Sequence, residues 1–150
     1  MDTKQVLWIA GGDGLVGRHL IHAIDKNKYH CVVLSRSKKQ STNPDLQYIV
    51  WDTEQRVIHD APKPDHIINL AGAGIADARW TEARKQILVS SRVNSAATIT
   101  QYLKENQYRP LSYISASAVG YYGDRKDDVL PEDSVAGQEF LSDCCIAWER

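Results

Sequence analysis

The stretch Val6-Leu7-Trp8-Ile9-Ala10-Gly11-Gly12-Asp13-Gly14-Leu15-Val16-Gly17 decides how this chain folds. Its apolar run predicts a strand from Gln5 to Ala10, and the glycines follow that strand without a gap. Val16, Leu20, Ala23 and Ile24 then fall at helical spacing, which predicts a helix from about Leu15 to Asp25. A strand, a glycine turn and a helix in that order form an anion site. The first helical turn leaves N–H groups without partners, here those of residues such as Leu15 and Val16, and the aligned peptide dipoles favour negative charge beside them. Gly11 permits the tight turn, Gly14 leaves room for a pyrophosphate, and Gly17 lets the helix lie close to the strand. The spacing is G-x-x-G-x-x-G rather than G-x-G-x-x-G. Its position after a strand and before a helix separates it from an ordinary glycine-rich turn.

Outward from this point, strands are predicted at His30 to Ser35, Leu46 to Trp51, His66 to Leu70 and Leu111 to Ser115. A longer helix is predicted from an N-cap at Thr81, followed by Glu82, through Ile87, Val93, Ala97 and Leu103, ending before Pro110. Strands alternating with helices imply a parallel sheet. Runs such as Cys31-Val32-Val33-Leu34 and Ile67-Ile68-Asn69-Leu70 suit strands covered on both faces. The expected fold is therefore a doubly wound α/β domain of the Rossmann type. From Glu139 onward the chain reads as a helix in progress with no C-cap signal. The expectation is one 150-residue domain whose sheet stops after the fifth strand and the start of the following helix, without a substrate domain.

Composition narrows the function classes. A hydrophobic share of 43%, a charged share of 25% and a net charge of -1 describe a globular chain. The basic excess that tracks a phosphate backbone is lacking, so no nucleic-acid partner is expected. No apolar run approaches the roughly 20 residues that span a bilayer, and Met1-Asp2-Thr3-Lys4 does not begin a cleavable signal, so no membrane partner is expected and the cytoplasm is the expected compartment. Cys31, Cys144 and Cys145 lack metal-ligand spacing and read as reduced thiols, with no metal site. A homo-oligomer is compatible with all of this.

The end of the second strand selects the dinucleotide. An acidic residue there would bind the adenosine ribose hydroxyls and repel a 2′-phosphate. This chain instead has Leu34-Ser35-Arg36-Ser37-Lys38-Lys39. Ser35 and Arg36 suit a 2′-phosphate, because a guanidinium makes charge-assisted, often bidentate bonds to it. The expected cofactor is NADP(H). A solvated basic loop is the competing reading, strongest for the two lysines.

The motifs together resemble a known family: the extended short-chain dehydrogenase/reductases, specifically their nucleoside-diphosphate-sugar epimerase-like group of YfcH type. The carriers are Gly11-x-x-Gly14-x-x-Gly17, Asn69-Leu70-Ala71-Gly72, Ile75-Ala76-x-x-Arg79-Trp80-Thr81, Ser91-Arg92-Val93, Ser115 through Gly123, and Trp148-Glu149. Members resembling it are about twice as long, which implies that this chain matches their N-terminal half. The resemblance implies that Asp52 bonds the adenine, that Leu70, Ala71 and Gly72 line the cofactor, and that Ser117 hydrogen-bonds the reacting oxygen. It also implies that Asn94 braces the site and that Tyr121 and Tyr122 lie near the nicotinamide. An exposed turn aspartate, a turn-capping serine and buried structural tyrosines are the alternative readings.

One departure bears on activity. Enzymes of that superfamily use Tyr-x-x-x-Lys after the serine, where the lysine lowers the tyrosine's pKa for proton transfer. The matching stretch here begins at Phe140 and reaches Cys144, so neither group is present. Two functions stand: an NADP(H)-dependent epimerase or oxidoreductase acting on a carbonyl or sugar-nucleotide substrate, or a non-catalytic NADP(H)-responsive binding module.

Overall fold

The computed structural model describes residues 3–150. Its elements are β1 (Gln5–Ala10), α1 (Leu15–Ala23), β2 (Tyr29–Ser35), β3 (Leu46–Asp52), β4 (Val57–Ile58), β5 (His66–Asn69), α2 (Glu82–Glu105), β6 (Ser112–Ser115) and α3 (Phe140–Glu149), with a 3-10 turn over Val119–Tyr122. The five strands expected from the sequence form a parallel array within the order β4-β3-β2-β1-β5-β6. The sixth strand corrects the expectation of five. β4 is a two-residue antiparallel addition to β3, pairing Trp51 with Ile58 and Asp52 with Val57. Two residues are too short to show a period, and the reversal is made by Arg56 at φ 57°.

Alternate residues of the central strands feed two cores, as the continuous apolar runs require. Leu7, Ile9, Cys31 and Val33 face α1 through Leu20, Ile21 and Ile24. Trp8, Ala10, Val32, Leu34, Ile49, Trp51 and Ile67 face the other way, where Ile99, Tyr102 and Leu103 of α2 cover them. Each fully buried side chain of this size is worth about 1.5–3 kcal/mol of transfer free energy. Trp8 is wholly buried, and its indole N–H donates to Pro62 O at 3.0 Å.

The helices depart slightly from the reading of the sequence. α1 ends two residues earlier than expected, and Val16 is 64% exposed, so Ile21 rather than Val16 completes the buried stripe. At α2 the N-cap holds: Thr81 Oγ1 accepts the Arg84 N–H at 3.2 Å. The chain turns out of α2 through Gln107 at φ 55°, with the Tyr108 N–H on Leu103 O at 2.9 Å. Strand order reverses at β1, so the carboxyl ends of β1 and β5 diverge into a crevice, the place where open parallel sheets bind ligands.

Candidate functional site

That crevice is a cleft of about 660 Å³ walled by the glycine turn, the end of β2, the segment after β5 and one face of α2. Gly11, Gly14, Ser35, Arg36, Leu70, Ala71, Gly72 and Asn94, all chosen from sequence, line it.

The glycines serve different purposes. Gly11 sits at φ +77°, and a Cβ there would lie 2.7 Å from the Leu70 carbonyl, so the crossing of the two strand ends requires glycine. A Cβ on Gly17 would lie 2.5 Å from Gly11 O and 2.6 Å from Gly12 Cα, which fixes how closely α1 approaches the turn. Gly14 is different. Its backbone is extended, φ -73° and ψ 174°, and a Cβ would meet only Gly11 O at 3.3 Å. The folded chain's own demand for glycine is therefore much weaker at 14 than at 11 or 17, whereas a ligand lying across the turn would require it. Leu15 and Val16, 68% and 64% exposed, open α1 there and present its first-turn N–H groups. The residues thus fit a pyrophosphate.

At the adenosine end Ser35 is buried and its Oγ accepts the Ser37 N–H at 3.4 Å, while Arg36 is exposed on the cleft rim. Lys39 Nζ lies 2.6 Å from Asp13 Oδ2, tying the loop after β2 to the glycine turn. Asp52 closes β3 beside the cleft. Its Oδ1 accepts the N–H groups of Glu54 and Gln55 at 2.8 and 2.9 Å, capping its own turn, while Trp51, Thr53 and Glu54 line the cleft.

At the other end, Asn69 braces the wall. It is fully buried, donates to Ser95 Oγ at 3.2 Å and Tyr113 Oη at 3.4 Å, and accepts the Ala71 N–H at 3.2 Å. Ser91 Oγ accepts the Ala73 N–H at 3.0 Å. Arg84, Asp77, Ile87, Ser90, Ser91 and Ser95 of this wall were missed from sequence. The recurrence of small polar residues at 91, 95 and 98 on α2 was the available signal. Arg84 Nη2 donates to Gly74 O at 2.6 Å, but its Nε is buried without a partner, a donor left for a ligand.

Ser117 stands apart from this wall. It is exposed just beyond β6, and its hydroxyl donates to the Glu149 carboxylate in the last turn of α3. Phe140 begins that helix, nine residues away and so about 13 Å along the axis. The structure does not bring Ser117 to Phe140. Phe140 instead packs edge-on against Trp80 with ring centroids 5.5 Å apart, under Lys85 Nζ at 5.5 Å. Cys144 and Cys145 are buried, which pushes both thiols up, with the charge of Arg92 opposing the rise. Tyr121 and Tyr122 pack edge-on to each other at 5.2 Å and are not among the cleft residues. Among the described residues no group of acidic, histidine or cysteine side chains could hold a metal ion. No helix among them is long and apolar enough to cross a membrane.

A parallel sheet with its order reversed at a glycine turn, helices on both faces and a cleft over the strand ends defines a nucleotide-binding α/β fold. The chain belongs to the NAD dependent epimerase/dehydratase family, whose model matches residues 7–142. It is 34% identical over 148 residues to an epimerase family protein of Staphylococcus haemolyticus, covering 98% of this chain and 48% of that one. It is likewise 34% identical over 144 residues to the epimerase family protein YfhF of Bacillus subtilis, covering 95% and 47%. The chain spans about half the length of these relatives. Its fold is shared by the human epimerase family protein SDR39U1 solved with NADPH, at a TM-score of 0.79 and 21% identity over 97% of this chain and 48% of that one. A UDP-glucuronic acid 4-epimerase of Bacillus cereus, solved with UDP-glucuronic acid and NAD, gives 0.75 and 18% over 97% and 50%.

Proposed function

We propose that this chain forms the NADP(H)-binding half of an epimerase- or oxidoreductase-like protein acting on a carbonyl or sugar-nucleotide substrate. The observation that carries the reading is Gly14: it lines the cleft at the helix N-terminus, where a Cβ would meet Gly11 O at 3.3 Å and a larger side chain would extend into the space over the turn. Ser35 and Arg36, in place of an acidic residue at the β2 end, support NADP(H) over NAD(H). Solved proteins of this fold hold NADPH or NAD, which supports the dinucleotide class. When bound, the cofactor supplies hydride chemistry. The chain's own residues bind it: the glycine turn takes the pyrophosphate, Ser35 and Arg36 the 2′-phosphate, Leu70 to Gly72 the ribose. Three free, buried cysteines fit a reducing cytoplasm.

A non-catalytic, NADP(H)-responsive module is the second reading, favoured by a specific arrangement. Phe140 has no proton to transfer, Cys144 is buried, and Ser117 is bonded to Glu149 at the far end of α3. Calorimetric titration with NADPH and NADH tests cofactor binding for both readings. NADPH should bind more tightly, and Arg36→Ala should narrow the ratio about tenfold, the worth of one charge-assisted contact of about 1.5 kcal/mol. Equal affinities would refute the preference.

A further inference from the structure

Arg84 lines the cleft, and its side chain is only 18% exposed. It follows the Thr81 cap by three residues, in the first turn of α2, where the helix dipole favours an anion and opposes a cation. The helix therefore gains little from a guanidinium at this place. Nη2 donates to Gly74 O at 2.6 Å, which holds the guanidinium against the wall. Nε is buried with no acceptor, and a donor left so costs about 1–3 kcal/mol. The one carboxylate within 4.0 Å among the described residues is that of Asp77, whose Oδ2 stands 3.8 Å from Nη2 on a side chain 72% exposed. That is too long for a hydrogen bond, and an ion pair so exposed is weak. A planar cation with donors to spare, fixed in place, suits the paired oxygens of a carboxylate or phosphate.

Position distinguishes the source of that anion. α2 begins beyond the carboxyl ends of the strands and runs back toward their amino ends, after which the Leu111 N–H bonds Asp65 O at 2.7 Å. Arg84, Ile87 and Ser91 share the helix face that lines the cleft. Ser91, which accepts the Ala73 N–H beside the segment assigned to the ribose, comes two turns or about 10 Å further along the axis. Arg84 thus stands on the mouth side of that segment. Both anionic groups of NADP(H) already have partners, the pyrophosphate at the glycine turn and the 2′-phosphate at Ser35 and Arg36. The second nucleoside carries no anion. We propose that Arg84 is a specificity-determining residue that anchors a carboxylate or phosphate of the substrate at the mouth of the cleft. The assignment rests on the dinucleotide reading of the cleft, and it narrows the substrate to an anion-bearing carbonyl or sugar compound.

The experiment follows the Arg84 Nε–H resonance of the chain saturated with NADPH while inorganic phosphate or acetate is added, against sodium chloride at equal ionic strength. Phosphate or acetate should move the resonance saturably, and chloride should not. The probe that binds more tightly tells a phosphate-bearing substrate from a carboxylate-bearing one. The backbone amides of Gly74 and Ile87 should report the same binding, weakened about tenfold in Arg84→Gln by loss of a charge-assisted contact. Asp77→Asn removes the competing carboxylate and should tighten it about threefold. NADPH affinity should stay within about twofold in Arg84→Gln, as expected of separate sites. A resonance moved no more by phosphate or acetate than by chloride overturns the proposal. So does a tenfold loss of NADPH affinity in Arg84→Gln, which would give the guanidinium to the cofactor. Both results leave the dinucleotide reading standing. NADPH that neither binds nor shifts Gly14 to Gly17 sinks that reading, and the assignment to a substrate with it. Should the variants not fold, the resonance of the unmodified chain decides alone.

Discussion

Replacing Gly14 by valine should separate folding from binding. The backbone at 14 is extended, so valine introduces no backbone strain, and the added Cβ meets Gly11 O at 3.3 Å, which requires only a small shift of the turn. Loss of glycine at an N-cap to an apolar residue costs about 1 kcal/mol, which lowers Tm by about 2–4 °C in a chain of this size. The branched methyl groups project into the space over the first-turn N–H groups, which a pyrophosphate must approach. Affinity for NADPH should fall at least about 100-fold, or roughly 2.8 kcal/mol. Gly17→Ala provides the contrast: its Cβ would lie 2.5 Å from backbone, and overpacking of this kind costs about 1–3 kcal/mol of stability. Thermal melts and calorimetry on the same samples read both quantities. NADPH affinity within about threefold of normal in Gly14→Val, or a loss of stability as large as that of Gly17→Ala, would refute the reasoning.

Three further outcomes are expected. Asn69→Leu should destabilise the fold by about 1–3 kcal/mol, seen in urea unfolding, because it leaves the Ala71 N–H, Ser95 and Tyr113 short of their partner. Cys144 and Cys145 should resist alkylation by iodoacetamide in the folded chain and react on unfolding; since burial raises their pKa, the stability they contribute is intact below the ordinary thiol value of 9.0 and is lost as pH rises above it, which unfolding curves at pH 8 and 10 would check. NADPH oxidation by this chain alone against carbonyls, quinones and sugar nucleotides should show no substantial turnover, as the tyrosine and lysine whose acid-base catalysis is worth about 10²- to 10⁴-fold are missing from the Phe140-to-Cys144 stretch; robust turnover lost in Ser117→Ala would contradict this.

The parallel strands, the covering helices and the glycine turn were legible because each has a local signal: continuous apolar runs, Thr81 as a cap, glycines directly after a strand. β4 was not, since two residues carry no period and their pairing depends on the reversal at Arg56. Within the site, residues next to strand ends could be placed from sequence alone. The α2 wall could not, because Arg84 and Ser91 reach the cleft only through the way a long helix crosses the sheet. The tie between Ser117 and Glu149 depends on how the segment after β6 runs back along α3, which no spacing reveals.

The most direct test is a backbone amide NMR titration of this chain with NADPH. The dinucleotide reading predicts that the largest shifts fall on Gly14, Leu15, Val16 and Gly17, with a second group at Ser35 and Arg36 that is much weaker when NADH is used. Shifts scattered over the surface, or confined to residues away from the glycine turn, would contradict it.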